Sequence, residues 1–207
     1  MAERAALYRA LHIDFGTGDG AFVRHTAARN PDCLVIGVDA SGEALRETSR
    51  HLAAKPARGG LPNALLGRCA LAEAPGELAG LADYLTVLLP WGSLLRAVAG
   101  PERASLRALQ MLCKPNARVR VVFGYGPRAD GTAMQELALP ALDDPATLPS
   151  LQRAYADAGF AVTARTVDLA ELRALPTTWA KRLAYSGHER RFIELRGRAS
   201  LTTHPCE

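Results

Sequence analysis

The chain has 207 residues, of which 48% are hydrophobic and 22% charged, and its formal net charge is +4. This length suits one domain with a sheet covered on both faces, and the composition is typical of a globular protein. The first thirty residues lack an export signal, and Asp83, Pro90 and Arg96 interrupt the most apolar region, 81–100. We therefore expect a cytoplasmic protein without a membrane segment, with one domain at 1–199 and a flexible tail at 200–207.

Cysteine spacing and charge distribution further limit the kinds of site and partner that we expect for this protein. The four cysteines are far apart, form no CxxC pair and have no histidine at metal-ligand spacing, so neither a disulfide framework nor a metal site is expected. Residues 165–198 hold eight Arg or Lys against four acidic residues, so this segment can account for the whole basic surplus.

Strands and helices alternate along most of the chain. The patterns predict helices after the first strand to about residue 30 and at 42–54, 102–113 and 148–158, and strands at 11–15, 33–38, 63–69, 84–89 and 119–123. Two more strands, 160–167 and 191–196, lack a clear crossover between them, which favours antiparallel pairing. The order predicts an α/β fold of the class I (Rossmann-like) methyltransferase type, with a seven-stranded, mostly parallel sheet, an antiparallel last strand and helices on both faces.

The motif Asp14-x-Gly16-x-Gly18-x-Gly20 falls where the first strand meets the first helix. Glycines there let the backbone bend sharply and approach a ligand without a Cβ in the way. The spacing differs from the GxGxxG turn that cradles pyrophosphate, and the carboxylates of Asp14 and Asp19 would repel phosphate. S-adenosylmethionine has no phosphate and carries an ammonium group, so we expect it here, with Asp14 near its amino end and Gly16 and Gly18 in backbone contact. The alternative is a plain glycine turn in which Asp19 caps the helix.

Three further strand ends offer candidates for the nucleoside half of this cofactor. Asp39 lies nineteen positions after Gly20, close to the roughly 20-residue spacing at which an acid accepts ribose hydroxyls; capping of the next helix is the alternative. Ala72 and Glu73, after the third strand, stand where such enzymes hold the adenine edge, although Glu73 fits a plain surface position equally well. Leu88 is a candidate to pack on the adenine face, with the core as the alternative.

The segment after the fourth strand, Pro90-Trp91-Gly92-Ser93, stands where class I methyltransferases place the groups that meet the substrate. Enzymes that methylate exocyclic amines commonly carry Asp or Asn just before a Pro-Pro-aromatic sequence, whereas this chain has Leu89. A ring nitrogen such as adenine N1 carries an in-plane lone pair and no proton, so its methylation requires no general base. The chemistry then depends on positioning.

Several segments together resemble one family, the aminoglycoside-resistance 16S rRNA (adenine-1408-N1) methyltransferases of the kanamycin and apramycin resistance type, over about residues 12–198. The glycine turn alone is typical of methyltransferases in general, whereas the segments around the two tryptophans are specific to the family. The matching segments are Ile13-Asp14-Phe15-Gly16-Thr17-Gly18-Asp19-Gly20, Ile36-Gly37-Val38-Asp39, Lys55-Pro56 with Gly59-Gly60-Leu61 and Asn63, Leu89-Pro90-Trp91-Gly92-Ser93-Leu94-Leu95 and Trp179-Ala180-Lys181-Arg182-Leu183-Ala184.

The resemblance implies an adenine flipped out of 16S rRNA and stacked between Trp91 and Trp179, the chain's only tryptophans. Base extrusion costs a few kcal/mol, and stacking on an aromatic side chain returns roughly 1 to 3 kcal/mol, so two indoles can offset it. The alternatives are a core aromatic for Trp91 and the cover of a hydrophobic patch for Trp179. Ser93 and Thr177 match cofactor-contacting positions of the family.

The partner implied is 16S rRNA in the 30S subunit, met by a monomeric enzyme. A solvated basic face is the alternative for any single residue, because contacts to phosphate are independent of sequence and surface Arg is common. The candidates for phosphate contacts are Lys55, Arg58, Lys181, Arg182, Arg190 and Arg191.

Other functions fit parts of this pattern. A methyltransferase for another RNA base or for a small molecule would share the cofactor site. A non-catalytic, cofactor-binding ribosome-assembly factor would share both the glycine turn and the basic surface. A nicotinamide oxidoreductase is disfavoured by Asp14 and by the glycine spacing.

Overall fold

The computed structural model describes residues 1–100 and 102–200, and these form one seven-stranded sheet with helices on both faces. The strands occur at the predicted places in the chain. They are β1 (Ala10–Phe15), β2 (Cys33–Asp39), β3 (Ala64–Arg68), β4 (Ala82–Leu88), β5 (Cys113–Tyr125), β6 (Phe160–Val167) and β7 (Arg191–Ala199).

The strand order is β3-β2-β1-β4-β5-β7-β6. The strands β1 to β5 pair in parallel, and β7 is antiparallel to both β5 and β6. This confirms the predicted fold class. The order reverses between β1 and β4, so the carboxyl ends of β1, β2, β3 and β4 flank a crevice of the kind in which open α/β sheets bind ligands.

The helices differ more from the prediction. Those predicted are present with ends shifted by a few residues, whereas α1, α4, α6, α8 and α9 were not predicted, because each is short or interrupted by Gly or Pro. The helices are α1 (Ala2–Ala5), α2 (Ala21–Arg29), α3 (Gly42–Leu52), α4 (Gly92–Ala99), α5 (Arg103–Met111), α6 (Pro127–Glu136), α7 (Thr147–Asp157), α8 (Leu169–Ala174) and α9 (Thr178–Ala184).

The two faces of strand β5 are covered by different helices. Val119, Val121 and Phe123 point into the main core, which α5 and α7 help to close. Val122, on the other face, packs in a second cluster with residues of α8 and α9. Strand β5 is thirteen residues long and extends beyond the predicted range 119–123 at both ends, because the polar residues and Pro115 before Val119 and Gly124 after Phe123 interrupt the apolar pattern.

Two further predictions concern a membrane-spanning segment and the C-terminal tail. Among the residues described, no helix is long and apolar enough to span a bilayer. The predicted tail at 200–207 lies outside the described residues except for Ser200.

A buried ion pair links α6, the helix after β5, to the loop before β7. Arg190 Nε lies 2.8 Å from Asp130 Oδ2, and the two side chains are 11% and 4% exposed. A second bond joins Arg190 Nη2 to Asp130 Oδ1 at 2.9 Å, and Asp130 also accepts from the Gly126 amide. Asp130 lies at a kink inside α6, so the pair fixes an irregular segment beside the strand ends.

We expect Asp130→Ala to lower the free energy of unfolding by roughly 3 to 5 kcal/mol, because it leaves the Arg190 guanidinium buried without its partner. Glu189→Ala is the control, since it breaks an ion pair with Arg128 whose side chains are 85% and 81% exposed. That change should cost less than about 1 kcal/mol. Chemical denaturation measures both values, and similar costs for the two variants would contradict a stabilising role for the buried pair.

Candidate active site

A cavity of about 590 Å³ opens at the carboxyl ends of β1, β2, β3 and β4. It brings together seven of the predicted site residues, from segments far apart in the chain. The lining residues are Phe15, Gly16, Gly18, Asp39, Ala40, Ser41, Ala44, Cys69, Ala70, Leu71, Ala72, Leu89, Pro90, Trp91, Ser93, Leu94, Arg96, Ala97, Glu102, Ser105 and Trp179.

The glycine turn forms one wall of this cavity. Gly16 and Gly18 have φ angles of 77° and 61°, in the left-handed region that side chains with a Cβ disfavour. A Cβ on Gly16 would lie 2.4 Å from Leu94 Cδ2, so a side chain there would also displace this methyl group of α4. These contacts explain the glycine spacing through backbone conformation and packing.

Asp39 lies across the turn and orients it. Its Oδ2 accepts a hydrogen bond from the Gly18 amide at 2.8 Å, and its Oδ1 accepts one from the Ser41 amide, also at 2.8 Å. Each carboxylate oxygen keeps a second lone pair, and the residue is partly exposed in the cavity wall. The carboxylate is thus fixed in place and can still accept hydroxyl groups.

Asp14 is placed differently from the expectation of direct cofactor contact. It is 1% exposed and is absent from the cavity lining, although the next residue, Phe15, lines it. Its Oδ1 accepts a hydrogen bond from Thr86 Oγ1, whose oxygen lies 3.1 Å from His12 Nε2. Burial raises the pKa of Asp14 to about 6, against the opposing effect of the Thr86 hydrogen bond. Any effect of Asp14 on a ligand therefore acts through its charge.

Asp19 connects the glycine turn to α9. Its Oδ1 accepts a hydrogen bond from the Ala21 amide, and its Oδ2 accepts one from Thr178 Oγ1 at 2.5 Å. The N-cap of α2 is Gly20, without a side-chain capping bond, so Asp19 is not the helix cap that the alternative proposed. Thr178 begins α9, and Trp179 follows it. The Trp179 ring lies against the turn, with Cδ1 3.8 Å from where a Gly18 Cβ would be. The glycine turn therefore forms one wall of the cavity and also contacts Trp179 at the cavity rim.

Trp91 follows a strained turn at the end of β4. Leu89 has a φ of +54°, unusual for a residue with a side chain, and Gly92 has a φ of +58°. Trp91 is the N-cap of α4 and is 59% exposed, while Trp179 is 49% exposed. Both tryptophans line the cavity. The exposure of Trp91 excludes the alternative in which it is a core residue.

Of the other five predicted cofactor residues, two line the cavity and three do not. Ser93 and Ala72 line the cavity, whereas Glu73 is exposed outside the lining. Leu88 is 5% exposed and packs in the second core cluster. The left-handed turn at Leu89 sends that side chain to the cavity instead.

Thr177 lies outside the cavity lining as well. Its Oγ1 accepts a hydrogen bond from the Ala180 amide at 2.9 Å and caps α9. The structure thus places Thr177 as a support for the helix that carries Trp179. A cofactor contact by Thr177 stays a prediction.

Some cavity residues were missed by the sequence reasoning. Arg96 and Ala97 stand three and four positions after Ser93 on α4 and therefore share its helix face. Glu102 and Ser105, three positions apart, line the cavity at the start of α5, and the Ser105 hydroxyl donates to Glu102 at 3.2 Å. Helix spacing from Ser93 could have indicated Arg96, but nothing local pointed to Glu102.

The predicted phosphate-contacting residues fall into two groups. Lys55 and Arg58 are exposed around a short 3₁₀ turn after α3, and Lys181 and Arg182 are exposed on α9. The Arg182 guanidinium carbon lies 5.6 Å from the centre of the Trp179 ring, which places one cation at the cavity rim.

The prediction for Arg190 is wrong, because its guanidinium is buried against Asp130 and also donates to Ser186. Arg191 is exposed, although one of its nitrogens donates to the Leu142 carbonyl at 2.8 Å. Within the described ranges, no cluster of three His, Cys, Asp or Glu side chains could hold a metal ion.

The sheet order, the glycine turn and the cavity at the strand ends define a class I methyltransferase. The family model described as "NpmA: 16S rRNA (adenine(1408)-N(1))-methyltransferase" matches residues 1–198. The chain therefore belongs to the 16S rRNA (adenine(1408)-N(1))-methyltransferase family, and the resemblance found in the sequence is confirmed.

Individual relatives agree with this assignment. A 16S rRNA (adenine(1408)-N(1))-methyltransferase from Streptoalloteichus hindustanus is 38% identical over 178 residues, 85% of this chain and 81% of that protein. The crystal structure of the aminoglycoside resistance methyltransferase NpmB1 shares 39% identity at a TM-score of 0.80, covering 95% of this chain and 91% of its own. A mutant of the Catenulisporales acidiphilia 16S rRNA (adenine(1408)-N(1))-methyltransferase, solved with cosubstrate SAM, shares 33% identity at a TM-score of 0.85, covering 99% of this chain and 92% of its own.

We expect Asp39→Ala to weaken S-adenosylmethionine binding at least tenfold, because hydrogen bonds to a charged acceptor contribute roughly 1.5 to 3 kcal/mol each. The exposed residue Glu43, at the start of α3 but outside the cavity, provides the control Glu43→Ala, which removes the same charge. Calorimetry measures both affinities. Equal affinities for Asp39→Ala and the wild type would remove Asp39 from the cofactor site.

The raised pKa of Asp14 gives two pH dependences of opposite sign. Its pKa in the folded protein, about 6, exceeds the ordinary aspartate value of 3.8, so ionisation opposes folding and ligand-free stability should fall as pH rises through this interval. Affinity for the cationic cofactor should instead rise from about pH 5 to pH 7, as Asp14 becomes charged. Calorimetry and thermal melts across this range test both slopes. Asp14→Asn should flatten both, and unchanged slopes in that variant would assign them to another group.

Proposed function

We propose that this chain transfers a methyl group from S-adenosylmethionine to N1 of adenine 1408 in 16S rRNA. The observation that carries the proposal is the placement of two exposed tryptophans on one cavity, beside the glycine turn that forms the cofactor wall. Exposed aromatic rings at the mouth of such a cavity can hold a base that has left its stack. Family membership supplies the identity of the base.

The residues present fit the cofactor. The cavity volume, about 590 Å³, lies within the range of small-molecule sites. Asp39 offers its carboxylate to the ribose, Gly16 and Gly18 let the backbone approach, and Leu71 and Leu89 provide apolar cover. When bound, S-adenosylmethionine supplies a methyl group on a positively charged sulfur, which becomes a neutral thioether as the adenine N1 lone pair takes the methyl.

The protein's contribution to the reaction is positioning. Adenine N1 has no proton to lose, so a general base is unnecessary. The carboxylates in the cavity wall are those of Asp39 and Glu102, and Asp39 is occupied by the Gly18 and Ser41 amides. Stacking on Trp91 and Trp179 would keep the ring plane, and with it the lone pair, in line with the methyl group.

The remaining proposals concern the ribosomal partner, the oligomeric state and the cellular compartment. We propose that the enzyme acts as a monomer on the assembled 30S subunit in the cytoplasm, with Lys55, Arg58, Lys181, Arg182 and Arg191 on rRNA phosphates. The exposure of these five side chains and the position of Arg182 at the cavity rim support their contact with rRNA phosphates. Methylation at N1 leaves a cationic ring, which repels polycationic aminoglycosides, and this gives a physical basis for resistance.

Reverse-transcription mapping of 16S rRNA tests the activity. Purified 30S subunits incubated with protein and S-adenosylmethionine should show a new stop at adenine 1408, because N1 methylation blocks base pairing. A stop at another base would favour a different RNA target. No stop at any base despite tight cofactor and subunit binding would favour the non-catalytic assembly factor.

We expect Trp91→Ala and Trp179→Ala each to reduce methylation at least a hundredfold, while the Trp→Phe variants keep part of it. Phenylalanine retains a π-face for the base with less overlap, whereas alanine lets the base tilt away from the methyl group. Melting temperature, cofactor affinity and 30S affinity should change little, because both rings are exposed. Folded alanine variants that bind both partners and methylate at the wild-type rate would disprove the stacking role.

A further inference from the structure

We propose that the open face of β5, β7 and β6, centred on Arg118, Arg196 and Arg198, is a second RNA-binding surface that holds phosphates away from the catalytic cavity. We call it the arginine face. The proposal rests on the proposed function, because it assumes that the substrate is a large folded RNA.

Strand register brings these arginines together. Arg118 on β5 stands opposite Arg198 on β7, and Arg120 stands opposite Arg196. On the outer strand, Arg165 faces Glu194 of β7. Side chains at alternate positions share a face, so all five arginines point to the same side of the sheet.

This face is covered near the cavity and open beyond it. Leu172, Leu175 and Ala180, from α8, the residue after it and α9, pack in one cluster with Val122 and Phe192. Farther along the strands, Arg118, Arg196 and Arg198 are exposed. Arg118 lies four residues before Val122 on β5, or about 13 Å along the strand. The arginine face therefore lies well away from the rim residues Trp91 and Trp179.

The carboxylate of Glu194 pairs with only two of the five arginines on this side of the sheet. This carboxylate is 1% exposed and binds Arg120 Nε at 2.6 Å and Arg165 Nη2 at 2.7 Å. These two arginines are therefore structural. Among the residues described, Arg118, Arg196 and Arg198 form no ion pair; Arg118 lies over the Tyr84 ring, and Arg198 donates to the Asn116 carbonyl.

Like charges placed directly opposite each other on neighbouring strands destabilise a sheet. Here the Arg118–Arg198 pair has no carboxylate between its members. A partner that supplies negative charges at strand spacing would remove this cost, and a polyphosphate backbone does so along its whole length. Arginine is also the side chain best suited to forked contacts with phosphate.

Charge complementarity favours RNA over other anionic partners. The arginine face is polar and lacks the large apolar anchors on which protein interfaces depend, and its arginines stand on a rigid sheet rather than on an amphipathic membrane-binding helix. Tyr84, partly exposed beside Arg118, adds an aromatic ring that can accompany a sugar or base. A folded rRNA seated on the cavity can therefore extend across this face.

The test compares two double variants with the same loss of charge. Arg196→Gln/Arg198→Gln neutralises the arginine face without touching the bonds of Glu194. Arg107→Gln/Arg153→Gln is the control, because both residues are exposed on α5 and α7, which pack on the opposite face. Filter binding to purified 30S subunits is measured from 0.05 to 0.3 M salt, alongside binding to protein-free 16S rRNA and to vesicles containing phosphatidylserine.

We expect the Arg196→Gln/Arg198→Gln variant to bind 30S subunits about twentyfold more weakly at 0.15 M salt. Two lost phosphate contacts, each contributing about 0.8 to the slope of log affinity against log salt, give this value and lower the slope by roughly 1.6. Its melting temperature should equal or exceed that of the wild type, because charge repulsion is relieved. The control variant should match the wild type in affinity and slope.

Equal affinities for the two double variants would overturn the proposal. Loss of binding to vesicles but not to RNA would assign the arginine face to a lipid surface instead and also overturn it. The outcome is separate from that for the catalytic function, because wild-type protein can show the stop at adenine 1408 whether or not these arginines contribute to binding.

Discussion

The active site depends on one hydrogen bond that spans most of the chain, from the Thr178 hydroxyl to the Asp19 carboxylate. Asp19 belongs to the turn that forms the cofactor wall, and Thr178 starts the helix that carries Trp179. The other oxygen of Asp19 receives the Ala21 amide, so the carboxylate cannot rotate away without losing both bonds. A part-buried, charge-assisted hydrogen bond of this kind stabilises by roughly 1.5 to 3 kcal/mol. The turn at Asp19 thus positions the Trp179 ring, so the proposed sites for the base and the cofactor share one support.

The cavity wall formed by the turn after β4 contains a strained residue. Leu89 has a left-handed backbone conformation between the buried end of β4 and Pro90, a state that costs of order 1 to 3 kcal/mol. The amide of Leu89 donates to the Val122 carbonyl at 2.7 Å, which holds the turn on β5 and offsets part of that cost. The turn aims Trp91 outward at the start of α4 while Leu89 faces the cavity. Both tryptophans therefore stand on backbone fixed by neighbouring strands, as a reaction that depends on positioning requires.

The sequence predicts local features well and long-range ones poorly. The glycine turn and Asp39 were found because residues close in sequence determine the loop, and the antiparallel last strand followed from the missing crossover. Arg190 was misassigned because its partner, Asp130, lies 60 positions away on a kinked helix. Leu88 was chosen in place of Leu89 because a strand pattern does not reveal where the backbone turns left-handed. Glu102 lines the cavity because α5 packs against α4 and the 3₁₀ turn Leu71–Glu73, and no spacing rule in the sequence predicts that packing.

The arginines of this chain show how a net charge of only +4 can serve a polyanionic substrate. Arg120, Arg165 and Arg190 are neutralised by Glu194 and Asp130 and stabilise the sheet and the loop beside it. The cations proposed to meet phosphate lie at other positions, namely α9 near the rim, the turn after α3 and the open face of the sheet. Since the carboxylates of Glu194 and Asp130 are paired with other arginines, they do not offset the positive charge at these proposed RNA-binding positions. Counting charges along the chain cannot separate these two kinds of arginine, whereas strand register and burial can.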